Sequence, residues 1–347
     1  MKHALRYTVL WGMLILLVGN VQAAGIGTLS FSTNPRSPDL YLVDSTGQNL
    51  RRLVTDNINK GSPTWMPDGR FFAYISNHDG DSDIYIMDVR NKTSRQLTNH
   101  PDRDLSPEWS PNGKWIAFVS NRAGDLDIYR IDVDGSNLMR LTKWGNNKYP
   151  AWSPDSQWIA FVSSRNEKKS LSIMNADGNR VRQLGEASFK WGGCTWSPDG
   201  TQIAFSDWDP EVEGINIFIV DTDGKNKHHL TREEPKDLLF DPKVPLAYQP
   251  AWSPDGHCIA YILEYLRVPK PEDPQKAQKD RKVIFPLVPR DGVICIANAF
   301  DKDREKLLLG TQAVATNLSP TWVPETFFSV SPQPELLTTQ WGEIKKE

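Results

Sequence analysis

A pentapeptide of the form Trp-x-Pro-Asp-Gly recurs along this 347-residue chain and constrains its fold more than any other feature. The copies begin at Trp65, Trp109, Trp152, Trp196 and Trp252, and a degenerate copy begins at Trp322. Successive copies lie 44, 43, 44, 56 and 70 residues apart. Sequence periods of about 20 to 50 residues are typical of solenoids, propellers and other arrays. We therefore interpret the chain as a repeat protein.

The residues that follow each tryptophan share one pattern, which is clearest in the unit of Trp109. Runs over 115–120, 127–132 and 137–142 are short and mostly rich in β-branched and aromatic residues, and polar residues or Asp-Gly separate them. Such runs predict strands rather than helices. Together with the strand that carries the tryptophan, each unit is predicted to hold four antiparallel strands, which we name A to D in chain order.

The turn residues support this interpretation. In Ser-Pro-Asp-Gly, proline fixes φ near the value that the second residue of a type I turn requires. Asp134-Gly135, Asp177-Gly178 and Asp223-Gly224 are typical of tight hairpin turns, here between strands C and D. Calcium binding by these Asp-Gly segments is the alternative, but a calcium loop needs more oxygen ligands at fixed spacing.

A sheet of four short strands cannot bury both of its faces alone, whereas radial stacking of several such sheets can. The six motifs predict an all-β fold, a six-bladed β-propeller of four-stranded antiparallel blades over residues 24–326. Runs at 29–32, 39–44 and 50–53 match strands B, C and D, and the matching strand A lies at 319–322. One blade is thus predicted to combine both ends of the chain and close the ring.

The repeated residues resemble those of the TolB-like propellers. The resemblance rests on Pro-x-Trp-Ser-Pro-Asp-Gly, Ile-Ala-Phe-Val-Ser-Asn-Arg, Asp-Ile-Tyr, Asp-Gly-x-Asn and Arg-Leu-Thr, and it covers residues 27–324. It implies an exported six-bladed propeller that binds another macromolecule, and it supplies no catalytic residues. TolB itself carries an α/β domain before its propeller; the repeats here are expected to follow the amino-terminal segment directly, without that domain.

Residues 1–23 are predicted to be a secretory signal peptide. Lys2 and Arg6 precede an apolar run, and Val21-Gln22-Ala23 offers the small residues that a signal peptidase reads. A membrane anchor is the alternative, but a run of about a dozen residues is shorter than the ~20 that span a bilayer. We therefore expect a periplasmic or secreted protein with no membrane insertion after cleavage. A formal net charge of −3 gives no indication of nucleic-acid binding.

Constellations of catalytic or metal-ligating residues are mostly missing from the sequence. There is no Gly-x-Ser-x-Gly motif, and the six histidines do not converge on one repeat position. We therefore predict no catalytic residue, no cofactor and no metal. His228-His229 resembles a metal pair, but the repeat register places His229 on the outer strand D as a solvated residue. Cys194, Cys258 and Cys295 are expected to be small buried residues, and whether any disulfide forms stays open.

The predicted topology distinguishes two sides of the ring. The A–B and C–D turns lie on one side, which we call the turn side, and the B–C loops and D–A crossings lie on the other, the loop side. Two insertions are predicted on the loop side: a D–A crossing at 232–249 and a B–C loop at 264–290. Long loops on a rigid scaffold commonly carry recognition.

We expect a partner-binding surface on the loop side, because tryptophan and arginine are enriched at binding hot spots. The candidate residues are His78, Arg103, Arg122, Trp144, Arg165, Trp191 and Trp208. Since Arg122 and Arg165 repeat at one register, salt bridges between blades are an alternative role for these two. The tryptophans of the repeat are instead assigned to blade packing: Trp65, Trp109, Trp152, Trp196, Trp252 and Trp322.

The sequence favours a non-catalytic module that binds a protein or peptide of the cell envelope. The alternative is a propeller enzyme, a lyase or glycan hydrolase, that uses the central channel. Such an enzyme would need acidic residues along the channel, and Glu108 is the one acidic residue in the four residues that end at each motif tryptophan. A carboxy-terminal tail over 327–347 has no counterpart in the repeat, and no role is assigned to it.

Overall fold

The computed structural model of the chain describes twelve ranges of residues. They are 27–32, 40–45, 49–54, 60–77, 80–166, 168–186, 192–232, 236–238, 241–267, 293–299, 307–309 and 320–324. All regular secondary structure in these ranges is β-strand, which confirms the all-β prediction. The predicted signal peptide at 1–23 and the tail at 327–347 lie outside the described residues, and so does the insertion 264–290 after Arg267.

Four of the sheets contain four antiparallel strands each, with neighbours in the order A-B-C-D that the repeat predicts. Sheet 1 contains β1 (Thr28–Ser32), β2 (Leu40–Asp44), β3 (Arg51–Val54) and, as strand A, β25 (Thr321–Val323). Sheet 2 contains β4 (Lys60–Trp65), β5 (Phe71–Ser76), β6 (Asp83–Asp88) and β7 (Thr93–Gln96). Sheet 3 contains β8 (Asp104–Trp109), β9 (Trp115–Ala123), β10 (Asp125–Asp132) and β11 (Met139–Arg140), and sheet 4 contains β12 (Asn146–Trp152), β13 (Trp158–Arg165), β14 (Lys168–Asn175) and β15 (Arg182–Glu186).

The next two repeat units, which we call sheets 5 and 6, are joined into one nine-stranded sheet. Sheet 5 contains β16 (Cys194–Trp196), β17 (Gln202–Asp209), β18 (Gly214–Asp221) and β19 (His228–His229); sheet 6 contains β21 (Asp241–Trp252), β22 (Cys258–Arg267), β23 (Val293–Asn298) and β24 (Leu307–Leu309), with β20 (Lys236–Leu238) beside β21. The link between the two is a parallel pair, Ile215 of β18 opposite Leu246 of β21.

The two predicted insertions differ from the expectation of long loops. Within 232–249, β20 and β21 form an antiparallel hairpin, and strand A of sheet 6 already begins at Asp241. The extension is stabilised by burial of apolar side chains, because Leu246 packs on Ile215 with both side chains almost fully buried. The second insertion also begins as a strand, since β22 continues to Arg267.

Residues from both ends of the described chain meet in sheet 1. Strand β25 pairs antiparallel with β1, and Leu29 lies opposite Trp322. Both side chains belong to one hydrophobic cluster with Ala260 and Ile262 of sheet 6. Sheet 1 therefore packs its core on the sheet that precedes β25 in the chain. Ser319, the predicted first residue of this strand, lies outside the described residues.

The motif tryptophans lie in the hydrophobic clusters between successive sheets, and their exposed fractions are only 5% to 8%. Three of them also make the same hydrogen bond. The indole Nε1 of Trp152, Trp196 and Trp322 donates to the backbone carbonyl of the residue before the preceding motif tryptophan, at 3.2, 3.0 and 2.9 Å respectively. The acceptors are Glu108, Ala151 and Ala251. The repeat thus ties neighbouring A strands together as well as filling the core.

We expect this bond to be measurable by comparing two tryptophan-to-phenylalanine variants. Trp196→Phe removes the donor and leaves the Ala151 carbonyl without it, whereas Trp109→Phe removes an indole that donates no hydrogen bond among the described residues. Both lose similar volume. Trp196→Phe should therefore lower the free energy of unfolding by about 1 kcal/mol more than Trp109→Phe in chemical denaturation. Equal losses would contradict a stabilising role of the bond.

The serine of the repeat closes the A–B turn. Ser153 Oγ donates to Asp155 Oδ1 at 2.5 Å and accepts the amide of Trp158 at 2.9 Å. Ser197 repeats the donated bond with Asp199, at 2.6 Å. The hydroxyl therefore satisfies both the turn carboxylate and the first amide of strand B.

The Asp-Gly turns between strands C and D touch the preceding sheet. At Gly178, φ is +78°, and a Cβ atom there would lie 2.6 Å from the carbonyl oxygen of Leu141 in sheet 3. Only glycine fits this approach without a shift of the backbone. The C–D turns therefore belong to the contacts between sheets.

Candidate functional site

The strand connections place the candidate residues on the loop side, at the ends of strands B and in the D–A crossings. Arg122, Arg165 and Trp208 lie near the ends of β9, β13 and β17. Arg103 precedes β8 and Trp144 precedes β12. His78 and Trp191 lie outside the described residues.

The structure brings Trp144 and Arg165 together. The indole of Trp144 is 70% exposed, more than any other large hydrophobic side chain of the described residues. The guanidinium carbon of Arg165 lies 5.9 Å from the centre of the Trp144 ring, which is within the range of a cation–π contact. An apolar face and a positive charge are thus presented side by side to solvent.

Hydrogen bonds and close packing hold the backbone at Trp144 in place. The amide group of the Asn147 side chain donates to the carbonyl of Trp144 at 3.0 Å and to Asp127 Oδ1 at 3.3 Å. Gly145 has φ of +74°, and a Cβ atom there would lie 2.4 Å from the carbonyl oxygen of Ser164. The crossing is therefore packed tightly on β13 and holds Trp144 beside the strand that carries Arg165.

Arg122 is instead part of a buried ion pair. Its guanidinium Nη2 donates to both carboxylate oxygens of Asp104, at 2.9 and 2.7 Å, and its Nε donates to Ser120. Asp104 has no exposed surface. The pair joins β8 and β9 of one sheet, so the expected salt bridge exists but lies within sheet 3 rather than between blades.

Arg103 and Trp208 occupy separate positions on the loop side. Arg103 is exposed, and its backbone amide donates to Asn121 Oδ1 next to Arg122. Trp208 is 36% exposed and lies on β17 of sheet 5. No hydrogen bond, ion pair or ring contact among the described residues joins either side chain to the pair of Trp144 and Arg165.

Two further side chains, Lys227 and His229, lie beside buried carboxylates that flank Trp208, and sequence reasoning missed both contacts. Lys227 Nζ lies 2.7 Å from Asp207, a carboxylate that is 3% exposed, and also lies over the ring of Phe218. His229 Nδ1 lies 3.3 Å from Asp209, which is 1% exposed. His229 is therefore a half-buried partner of a carboxylate, not the solvated residue that the repeat register predicts.

Glu108 lies on strand A of sheet 3 and is the one acidic residue in the four residues that end at each motif tryptophan. Burial raises the pKa of its carboxyl to about 8, although a hydrogen bond from Thr64 opposes the change. Burial raises the pKa of Cys194 to about 12, and the negative charge of Glu108 adds to this effect. The Cys194 thiol donates to the carbonyl of Tyr149. Glu108 is thus a carboxyl that holds its proton near neutral pH.

Metal ligation and disulfide formation can be checked among the described residues. Within these ranges, no group of three or more His, Cys, Asp or Glu side chains could hold a metal ion. The three cysteines are all described, and they are buried and form no disulfide. The described part of the chain also contains no helix with the length and apolar character needed to cross a bilayer.

Comparisons with known proteins identify the repeat. Residues 25–237 match the family model described as the TolB beta propeller domain. No curated protein sequence matches the chain.

Several solved structures share the fold. TolB from Acinetobacter baumannii superposes with a TM-score of 0.63 and 22% identity, over 86% of this chain and 67% of that chain. A putative TolB from Agrobacterium tumefaciens gives 0.57 and 18%, over 81% and 88%. An oligogalacturonate lyase in complex with manganese gives 0.51 and 14%, over 81% and 72%. Because all three are distant in sequence, they establish the fold but not the activity.

Proposed function

Because the chain belongs to the TolB beta propeller domain family, we propose that it is a six-bladed propeller that binds a protein or peptide of the cell envelope through its loop side, without catalysis. The proposed binding surface consists of Arg103, Trp144, Arg165 and Trp208. Arg122, the other described candidate, is held in the ion pair with Asp104. The repeat predicts His78 and Trp191 on the same surface, but both lie outside the described residues.

Contacts between the strands A support the closed ring. Each strand A contacts the next in the order β25, β4, β8, β12, β16 and β21, and β21 contacts β25 again. The pairing of β1 with β25 supports the predicted join between the chain ends. Six sheets in this cyclic order give the arrangement in which B–C loops and D–A crossings share one side.

The exposed pair of Trp144 and Arg165 is the observation that carries the binding role. Exposing a tryptophan ring to water is unfavourable, and a partner that covers the ring removes this cost. Tryptophan and arginine also supply much of the binding energy in protein interfaces. The bonds from Asn147 fix the backbone before a partner arrives, so little ordering entropy is lost on binding.

The envelope location in this proposal rests on residues 1–23, which the sequence predicts to be a signal peptide. The proposed partner is accordingly a protein or peptide of the periplasm or outside the cell. Nucleic acid is excluded from the proposal by the net charge of −3, and membrane insertion by the predicted cleavage of the signal.

Photo-cross-linking in the native envelope tests the proposed surface. Replacing Trp144 by p-benzoylphenylalanine should give one dominant adduct, while the same replacement at Leu138 should not. Leu138 is a matched control because it is 47% exposed and apolar but lies on the turn side, just before strand D of sheet 3. With the adduct partner purified, Trp144→Ala should weaken binding at least tenfold. Equal adducts at both positions, or unchanged affinity, would reject the surface.

An enzyme acting in the central channel is the second candidate, and the raised pKa of Glu108 favours it, because a carboxyl that titrates near neutral pH can donate a proton in catalysis. Oligosaccharides of the envelope are the substrates to assay. Turnover that Glu108→Gln abolishes would support the enzyme, and the absence of turnover by the wild type would support the binding module.

A further inference from the structure

A cavity of about 310 Å³ lies between sheets 4 and 5 on the turn side, away from the proposed partner surface. Trp158, Trp196 and Ile173 supply its apolar wall. The carboxylates of Asp155 and Asp199 also line it. Both belong to A–B turns, so the cavity opens where the tight turns of two sheets meet.

At the preceding junction, between sheets 3 and 4, the protein fills the equivalent space with its own arginine. The guanidinium carbon of Arg130 lies 4.7 Å from the centre of the Trp115 ring, and Trp115 stacks on Trp152 at 5.8 Å. Arg130 Nη1 donates to Asp177 Oδ1 at 2.9 Å and to the carbonyl of Ala176 at 2.7 Å. The side chain is 10% exposed. This junction is a guanidinium site that is occupied from within.

The repeat register relates the two junctions residue by residue. Arg130 lies four residues before the aspartate of Asp134-Gly135, and Ile173 lies four residues before that of Asp177-Gly178. Trp158 matches Trp115, since each lies six residues after its motif tryptophan. Sheet 4 therefore retains the aromatic wall but carries isoleucine where sheet 3 carries the guanidinium.

The cavity does not result from a missing tie between the sheets. Arg182, on strand D of sheet 4, donates to the carbonyl of Thr222 in sheet 5 at 2.7 Å. This carbonyl has the same position before Asp-Gly as that of Ala176. The two sheets are thus joined through the outer strand, and the space above Trp158 remains open.

The wall of the cavity has the charge that suits a cation. Asp155 and Asp199 contribute two negative charges and Arg182 one positive charge, which leaves the wall at −1. Hydrogen bonds from Ser197 and Thr201 lower the pKa of Asp199, so its carboxylate remains ionised. Indole faces attract cations further, because the ring quadrupole is negative above its plane.

We propose that this cavity binds the guanidinium group of an arginine side chain presented by a peptide or protein partner, in the position that Arg130 occupies at the preceding junction. Such a site is independent of the loop-side surface. It would allow the propeller to bind a second segment, one that carries an arginine, on its turn side.

Titration with N-acetyl-arginine amide tests the site directly, because this probe carries the guanidinium with no other charge. Protein labelled with 5-fluorotryptophan should show saturable ¹⁹F shifts for two resonances, assigned as Trp158 and Trp196 from the variants Trp158→Phe and Trp196→Phe. N-acetyl-norleucine amide, which is apolar and uncharged, should bind at least tenfold more weakly. Equal affinity for both probes would overturn the proposal, since it would make the cavity merely apolar.

Two substitutions at one position provide the matched comparison. Ile173→Arg supplies the guanidinium from within, as Arg130 does, and should abolish probe binding; Ile173→Leu should retain it within threefold. If Ile173→Arg does not fold, Asp155→Asn combined with Asp199→Asn should weaken binding at least tenfold. Probe binding that survives the change of wall charge, or that is absent from the wild type, would refute the site.

Discussion

Replacement of Arg122 by alanine is expected to lower the free energy of unfolding by about 3–5 kcal/mol. Asp104 is fully buried, and Arg122 supplies the cation that compensates its charge with two hydrogen bonds. Without Arg122, the carboxylate would remain in the interior without its cation, which costs far more than the loss of a surface ion pair. Chemical denaturation at pH 7 measures the loss.

The control is Arg165, which has the same place in the next repeat unit but is exposed. It contacts the ring of Trp144, so Arg165→Ala should cost about 0.5 kcal/mol or less. The double variant Asp104→Leu with Arg122→Met should recover most of the stability, because an apolar pair removes the uncompensated charge. If Arg122→Ala unfolded with nearly the wild-type free energy, the buried pair would have no structural role.

The contrast between Arg122 and Arg165 marks the limit of sequence reasoning from the repeat alone. Their equal register predicts equal roles, but the residue five positions before each motif tryptophan differs. It is Asp104 in sheet 3 and Asn147 in sheet 4. Asp104 binds the arginine of its own sheet, whereas Asn147 binds Asp127 and the crossing below Trp144. Reading this position together with the arginine would have separated the two cases.

The strands and turns were predictable because their signals are local. Proline, aspartate and glycine in the A–B turn and the period of about 44 residues fix where each strand begins, and the topology of sheets 2, 3 and 4 follows. Sheet 6 differs from this prediction, because some of the extra residues before Trp252 carry apolar side chains and extend strand A. Burial of Leu246 on Ile215 converts part of the expected crossing into strand. This contact joins residues of different repeat units, so the repeat pattern alone could not predict it.

The site was less predictable, because it depends on which side chains meet across different strands of a sheet. Trp144 was expected to be exposed, because the other repeat units have no tryptophan at this position. Its contact with Arg165 was not predicted. The pairs of Lys227 with Asp207 and of His229 with Asp209 join strands B and D, which lie about 20 residues apart in sequence. Such pairs require the register between strands, and the sequence specifies register only through turns and burial.

The stability of the protein should fall as the pH rises from about 4.5 to 8, and Glu108→Gln should remove this dependence. Glu108 keeps its proton in the folded state up to a pKa of about 8, whereas the unfolded chain releases it near 4.5. In this window the folded state binds more protons than the unfolded state, so each rise in pH favours unfolding. Below 4.5 both states are protonated, and above 8 both are ionised, so the contribution is constant outside the window.

Linkage sets an upper limit of about 5 kcal/mol for this contribution, and the water that reaches the partly accessible side chain reduces it. We expect a fall of about 2 kcal/mol between pH 5 and pH 8 in the wild type. Glu108→Gln should be nearly flat and more stable than the wild type at pH 8, because a neutral amide has no charge to bury. The exposed Glu186, on strand D of sheet 4, provides the control, since Glu186→Gln should leave the wild-type slope unchanged. A slope that persists in Glu108→Gln would show that a different group causes it.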